Sequence, residues 1–140
     1  MKPKILRKPR VLVVDDDPEF VQLIEFNLAR LGCGILVAHN GLQALRVART
    51  ESPDVILLDV MLPDIEGFTV CEILRAHAST RDIPVFIVSA LHESWASRTK
   101  ARFVHYFRKP VDLKLLGESV LAAGEERRTT IRWRLDQNQN

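Results

Sequence analysis

The chain has 140 residues, of which 46% are hydrophobic and 27% are charged. This length is typical of one domain with its own core, and this composition excludes a mostly disordered, collagen-like or coiled-coil chain. No apolar run approaches the ~18 residues of a membrane span, and the basic start of the chain does not have the pattern of a signal peptide. The two cysteines, Cys33 and Cys71, have neither a metal-binding nor a disulfide spacing. We therefore expect a cytoplasmic protein without a membrane segment.

The net charge of +2 is unevenly distributed along the chain. Residues 1–10 carry five basic side chains and no acid, residues 11–124 carry eleven basic and fifteen acidic ones, and residues 125–140 carry four arginines and three acids. We predict a basic N-terminal extension (1–9), one acidic domain (10–124) and a charged C-terminal tail (125–140). Basic ends can steer a protein towards nucleic acid or acidic partners, or they can simply keep it soluble. No helix-turn-helix or zinc-finger pattern is present, so we expect no DNA-binding domain.

Five short segments of the domain have the composition of β-strands. Most of them are apolar almost throughout, which is typical of strands buried on both faces of a parallel sheet. The segments are 11–14, 35–38, 54–60, 84–88 and 103–107.

Amphipathic segments follow each predicted strand. Pro18 after Asp17 predicts a helix start with Asp17 as its N-cap, and Gly32 predicts the end of this helix. Asn40 predicts the cap of a second helix, and further helices are predicted between the third and fourth strands, more weakly over 91–102, and after the fifth strand. Strands and helices thus alternate, which predicts an α/β fold with a doubly wound parallel sheet.

Polar residues lie at the carboxyl ends of four predicted strands. Asp15 and Asp16 follow the first strand and Asp59 lies at the end of the third, while Ser89 and Lys109 follow the fourth and fifth. Ligands of doubly wound sheets bind beyond these strand ends. Crowded carboxylates need a cation, and Mg²⁺ suits oxygen ligands. Because lysine and hydroxyl groups bind phosphate oxygens, this set predicts a site where a carboxylate accepts a phosphoryl group.

Four segments of the chain resemble the response-regulator receiver domain of two-component signalling systems. They are residues 11–17 (VLVVDDD), 54–67 (DVILLDVMLPDIEG), 87–90 (IVSA) and 106–110 (YFRKP). The resemblance covers about residues 10–124 and implies a flavodoxin-like fold, with a five-stranded parallel sheet in the order 2-1-3-4-5 and helices on both faces. It also implies a phosphorylation-dependent switch that stands alone without an attached effector domain, and a signalling protein rather than an enzyme.

The resemblance implies where the phosphoryl group and the metal bind. Asp59 would be the phosphoacceptor. The cofactor Mg²⁺ would be bound by Asp15, Asp16, Asp59 and the backbone carbonyl of Met61.

Three further residues have implied roles around the phosphoryl group. Ser89 and Lys109 would bind its oxygens, and Tyr106 would be an aromatic switch that turns inward when Ser89 engages the phosphate. The Lys109–Pro110 peptide bond would be cis. The implied phosphodonor is a sensor histidine kinase or a phosphotransfer protein, and the output would pass through an unidentified effector protein or through self-association.

The sequence also departs from the family pattern. Arg102 and Phe103 occupy positions where the family usually has Gly-Ala, and the stretch from Ser89 to Tyr106 is about two residues short. Apolar residues, Met61 and Leu91, stand where members that hydrolyse quickly often carry polar side chains. We therefore expect a long-lived acylphosphate.

Two alternative functions remain open at this point. A haloacid-dehalogenase-like phosphatase would use Asp15 and Asp17, but no further acidic pair follows a later strand end to complete its metal site. A receiver that serves as a scaffold without phosphorylation is the second alternative. We interpret Asp17 as a helix cap rather than a metal ligand, and Asp54 and Asp64 as loop and turn residues.

The tail contains a second pattern. Gly124 predicts a helix stop, and beyond it Ile131, Trp133 and Leu135 alternate with arginines, which favours a strand. Because Ile131 and Leu135 are four residues apart, a helical extension is the alternative. We expect this segment to dock on the domain, on a second copy or on an effector, unless it is a frayed terminus.

Overall fold

A computed structural model of the chain describes residues 8–91 and 104–138. The strands are β1 (Arg10–Val14), β2 (Gly34–Ala38), β3 (Val55–Leu58), β4 (Val85–Ser89) and β5 (Val104–Arg108), and the helices are α1 (Pro18–Arg30), α2 (Gly41–Glu51), α3 (Gly67–Ala76) and α4 (Leu113–Asn138). The five strands form a parallel sheet in the order β2-β1-β3-β4-β5. This confirms the predicted fold. The helix predicted over 91–102 lies, after Leu91, outside the described residues, as do Arg102 and Phe103.

The central strands supply side chains to two cores, one on each face of the sheet. Leu12 and Ile56 lie in a core with α2 and α3, whereas Val13 and Leu57 lie in a core with α1 and α4. The parallel register pairs Leu12 with Ile56 and Val13 with Leu57, so neighbouring side chains belong to the same core. Helices therefore cover both faces of the sheet.

Two helices start as the sequence predicted. Asp17 caps α1 by accepting a hydrogen bond from the backbone N–H of Glu19, and Asn40 caps α2 by accepting one from Gln43. Pro18 is the first residue of α1, and Gly32 follows its end with a φ of +88°, a conformation that favours glycine. The interpretation of Asp17 as a helix cap is confirmed.

The last helix is longer than the sequence suggested. α4 continues through Gly124 to Asn138, so the predicted helix stop and the strand-like tail are wrong and the helical alternative is correct. A Cβ atom at Gly124 would lie 2.6 Å from side-chain atoms of Pro9. Glycine is therefore needed here because the start of the chain packs closely against α4, and it does not end the helix. Within residues 8–91 and 104–138, neither α4 nor any other helix is long and apolar enough to cross a membrane.

Candidate functional site

The carboxyl ends of the central strands bring the predicted site residues together. Asp15 follows β1 and Asp59 follows the adjacent β3, and the backbone N–H of Asp59 donates to the carbonyl of Val14 at 3.0 Å. Ser89 ends β4, and the backbone N–H of Lys109 donates to its carbonyl at 2.8 Å. The Lys109–Pro110 bond is cis, in agreement with the resemblance. Strand register thus places residues separated by up to 94 positions in the chain at one end of the sheet.

The ammonium group of Lys109 joins the two buried carboxylates. Its Nζ lies 2.8 Å from Asp15 Oδ2 and 3.1 Å from Asp59 Oδ2. Burial alone would lower the pKa of Lys109, but the hydrogen bonds and charges of Asp15 and Asp59 raise it above its ordinary value. Nζ also lies 4.0 Å from the centroid of the Phe20 ring, a cation–π contact that the sequence pattern of α1 did not suggest.

The second oxygen of each carboxylate accepts a backbone hydrogen bond. Asp15 Oδ1 accepts from the N–H of Asp17 at 2.9 Å, and Asp59 Oδ1 accepts from the N–H of Met61 at 2.9 Å. Asp15 is 2% exposed and Asp59 is 7% exposed. Desolvation raises the pKa of Asp15, although Lys109 and the N–H of Asp17 oppose this shift. Both carboxylates are therefore held in fixed positions before any ligand binds.

Asp16 does not join this group. Its side chain is exposed, as is that of Met61, and both residues line an open groove of about 560 Å³ that is also lined by Leu91. Within residues 8–91 and 104–138, no three acidic, histidine or cysteine side chains converge closely enough to form a ready-made metal site. The structure therefore assembles Asp15, Asp59 and Lys109, and it leaves Asp16 at the mouth of the site.

Ser89 and Tyr106 are connected through one residue. Ser89 is completely buried, and its Oγ accepts a long hydrogen bond of 3.4 Å from the N–H of Leu91. The hydroxyl of half-buried Tyr106 donates to the carbonyl of the same Leu91. The backbone of Leu91 thus links the two residues that the resemblance implied to act together.

Two aspartates that the sequence suggested to be loop residues stabilise the scaffold. The carboxylate of Asp64 accepts hydrogen bonds from the N–H groups of Gly41 and Leu42, at 2.7 and 2.9 Å, so the loop after β3 is tied to the start of α2. Desolvation alone would raise the pKa of Asp64, but these backbone donors lower it. Asp54 accepts from the N–H of Arg10 at 2.9 Å. These partners lie 22 to 44 positions away in the chain, so local spacing carried no signal for them.

Comparisons with known proteins agree with this geometry. Residues 11–121 match the sequence model of the response regulator receiver domain. Protein PilH of Pseudomonas aeruginosa is 36% identical over 117 residues, which cover 81% of this chain and 95% of PilH. The transcriptional regulator RpaA of Synechocystis sp. is 43% identical over 83 residues, which cover 59% of this chain. The chain spans about a third of the length of RpaA and of the Bacillus subtilis regulator PhoP.

Solved structures give the same result. The receiver domain of the Francisella response regulator 1452 is 32% identical with a TM-score of 0.76, and the match covers 84% of this chain and 98% of that domain. The receiver domain of the sensor histidine kinase PA1611 from Pseudomonas aeruginosa is 26% identical with a TM-score of 0.76, over the same shares of both chains, and holds a magnesium ion in its active-site cleft. From the matched residues, the sheet order and these relatives, we conclude that the chain belongs to the response-regulator receiver domain family.

Proposed function

We propose that this chain is a two-component signalling switch that accepts a phosphoryl group on Asp59. The observation that carries the proposal is the contact of Lys109 with both Asp15 and Asp59 at the carboxyl end of the sheet. A buried carboxylate beside a fixed ammonium group is suited to a reaction in which negative charge accumulates on phosphoryl oxygens. The phosphodonor is a phosphohistidine of a sensor kinase or of a phosphotransfer protein, and the proposal places the reaction in the cytoplasm.

The transfer forms one bond and breaks one. An oxygen of Asp59 attacks the phosphorus, the phosphorus–nitrogen bond of the donor breaks, and the histidine nitrogen keeps the electron pair and takes up a proton. Lys109 then moves part of its hydrogen bonding from Asp59 to a phosphoryl oxygen. The protein contributes mainly position and charge, as is usual for phosphoryl transfer.

The oxygen ligands at this end of the sheet fit Mg²⁺, which proteins bind through one or two carboxylates together with waters. Asp15 and Asp59 present carboxylates on neighbouring strands, and Met61 belongs to the same turn as Asp59. Asp16 would turn in from the groove, and the carbonyl of Met61 would complete the set. The bound ion would offset the negative charge that gathers between Asp59 and the phosphoryl oxygens.

The same proposal assigns the switch to Ser89 and Tyr106. When Ser89 turns so that its hydroxyl donates to a phosphoryl oxygen, the long hydrogen bond that its Oγ accepts from the N–H of Leu91 is lost. Leu91, whose carbonyl accepts a hydrogen bond from the Tyr106 hydroxyl, then moves relative to Tyr106, and the ring of Tyr106 turns inward. A change at Asp59 would thus reach the surface around β5, where an effector protein or a second copy would bind.

Incubation with acetyl phosphate tests the proposal. We expect intact-mass spectrometry to show one added phosphoryl group on the wild-type chain in Mg²⁺, much less in EDTA, and none on the Asp59→Asn variant. Asp17→Asn is the matched control, because asparagine caps a helix as well as aspartate does. It removes a carboxylate close to the site while retaining the start of α1, so its labelling should equal that of the wild type.

Other outcomes separate the alternatives. Equal labelling of the wild-type chain and Asp59→Asn would show that Asp59 is not the phosphoacceptor. Continuous release of phosphate from phosphate monoesters would indicate a phosphatase instead. Failure of both acetyl phosphate and a cognate kinase to label the wild-type chain would indicate a scaffold, an interpretation that the family match does not favour.

A further inference from the structure

A second cavity lies at the opposite end of the sheet from Asp59. It is a partly open cavity with a volume of about 130 Å³, between the starts of β4 and β5 and the last part of α4. Pro84 and His105 form the wall on the strand side, and Ala123, Arg127 and Ile131 form part of the wall on the helix side. A cavity of this volume can hold one compact molecule of about the size of benzene.

One charged group in this cavity lacks a hydrogen-bond partner. Arg127 is half-buried, and its Nε is buried without an acceptor in the part of the chain that the structure describes. Arg134, the other arginine of the lining, is paired with Asp82 at 3.3 Å. A buried guanidinium nitrogen without an acceptor is costly, and a carboxylate or phosphate group would relieve that cost with charge-assisted bonds.

Arg75 differs from Arg127 in the partners of its other guanidinium nitrogens. Its Nε is also buried without an acceptor, but its other nitrogens donate to the backbone carbonyls of Thr80, Arg81 and Ile83. Arg75 therefore braces the turn before β4. Burial lowers the pKa of Arg127, while the charges of Asp54 and Asp82 partly oppose this effect. Arginine nevertheless stays charged in proteins, so an anion can bind to it.

The cavity walls also carry apolar surface. Pro84, Ala123 and Ile131 line the space beside Arg127. A ligand that pairs with Arg127 therefore has room for an apolar body against these three residues. The other lining residues are polar or charged and include Asp82, which pairs with Arg134, and Glu126. An anionic group in this cavity must therefore lie at Arg127 and away from Glu126.

The helix side of the cavity is built from residues outside the family match. That match ends at residue 121, whereas Ala123, Arg127, Ile131 and Arg134 all follow it. The cavity depends on the part of α4 that continues past Gly124.

We propose that this cavity binds a small organic anion, a carboxylate or phosphate monoester with a compact apolar body, whose anionic group pairs with the guanidinium of Arg127. The site is separate from the phosphorylation site and does not depend on it.

Nuclear magnetic resonance with phenyl phosphate as the probe tests this site. On the full chain, we expect saturable shifts of the Arg127 Nε–Hε signal and of the Ile131 methyl signals. Benzyl alcohol keeps the ring without the charge, and inorganic phosphate keeps the charge without the ring. Both should bind at least tenfold more weakly than phenyl phosphate, because each lacks one half of the recognition.

Two variants assign the binding to Arg127. Arg127→Gln should weaken phenyl phosphate binding at least tenfold, whereas Arg128→Gln should leave it unchanged, because Arg128 lines a different groove with Lys8 and Arg10. Circular dichroism checks that both variants are folded. The titration of the wild-type chain tests the site even if a variant does not fold. Absence of saturable shifts in the wild-type chain, equal affinity in Arg127→Gln, or equal binding of benzyl alcohol or inorganic phosphate would each overturn the proposal.

Discussion

The two ends of the sheet differ in how their buried charged groups are paired. At the carboxyl end, Lys109 contacts both Asp15 and Asp59, and the remaining carboxylate oxygens accept backbone hydrogen bonds. At the amino end, Arg134 makes a longer, exposed pair with Asp82, and Arg127 keeps a buried nitrogen without an acceptor. At the first end the buried carboxylates have partners within the protein, whereas at the second end a buried guanidinium nitrogen has no acceptor among the described residues.

The difference follows from the elements that supply the charged groups. At the carboxyl end, Asp15, Asp59 and Lys109 follow three different strands, whose relative positions are fixed by backbone ladders and two packed cores. At the amino end, the arginines belong to the last turns of a single helix, most of which is exposed there. Charged groups on the sheet are therefore held more tightly than charged groups on the exposed part of α4. Four predictions test this difference, in order of decreasing expected effect.

Replacement of Lys109 should have the largest effect on the site at the carboxyl end of the sheet. In Lys109→Met, Asp15 and Asp59 lose their shared cation, and no ammonium group remains to bind the phosphoryl oxygens. We expect the rate of labelling by acetyl phosphate to fall on the order of 10²–10³-fold, the usual loss when one charge-stabilising donor is removed. Rapid-quench labelling of the variant in Mg²⁺ measures the effect.

Lys114→Met is the control for this prediction. Lys114 is exposed in the first turn of α4, so its replacement removes an equal charge away from the site. A rate for Lys109→Met within a few-fold of the Lys114→Met rate would mean that positioning by Lys109 contributes little to the transfer.

A methyl group added at Gly67 should disturb the close packing of α3 against the backbone of Asp59 and Val60. A Cβ atom at Gly67 would lie 2.4 Å from the Cα of Val60 and 2.7 Å from the carbonyl oxygen of Asp59. These are backbone atoms, so no rotamer change relieves the clash, and we expect Gly67→Ala to lower the free energy of unfolding by about 2–3 kcal/mol. Urea denaturation measures it.

Gly34→Ala provides the comparison. A Cβ atom there would meet its nearest neighbour, Arg10 Cγ, at 3.5 Å, an ordinary contact on an edge strand. Its effect should stay within about 0.5 kcal/mol. Equal losses for the two variants would show that the approach of α3 to Asp59 is not specially tight.

The carboxyl end could be predicted from the sequence because its determinants are local. Each polar residue follows an apolar run within two positions, and the parallel topology that those runs imply brings the strand ends together. Asp17 and Asn40 were recognisable as caps for the same reason, since a cap acts on N–H groups within three residues of itself. The response-regulator resemblance added the implied switch role of Ser89 and Tyr106, which the strand-end pattern alone did not suggest.

The amino end could not be predicted because its determinants are distant contacts. Gly124 has the form of a helix stop, yet it is placed there by its approach to Pro9 at the other end of the chain. The cavity at Arg127 depends on that continued helix. For the same reason the sequence did not reveal the role of Asp64, whose carboxylate accepts hydrogen bonds from the start of α2, more than twenty positions away in the chain. Asp16 is exposed, whereas the sequence suggested that Asp15, Asp16 and Asp59 lie together at the strand ends.

A polar side chain at the mouth of the site should shorten the life of the acylphosphate. Met61 is 56% exposed beside Asp59, and its thioether cannot orient an attacking water. In Met61→Asn the amide can hold such a water, so we expect several-fold faster loss of the label after removal of the phosphodonor. Met61→Leu is the control and should match the wild type. An unchanged lifetime in Met61→Asn would place the control of hydrolysis elsewhere.

The smallest effect should come from the ion pair at the amino end. Arg134 Nη1 lies 3.3 Å from Asp82 Oδ2, with side chains that are 57% and 39% exposed. Water screens such a pair, so a double-mutant cycle of Asp82→Asn and Arg134→Gln should give a coupling of about 0.2–0.5 kcal/mol. In 1 M NaCl, where the screening length is about 3 Å, the coupling should disappear. A coupling above about 1 kcal/mol that persists in salt would mean that the helix extension is held as firmly as the strands hold Asp59, and the distinction between the two ends would fail.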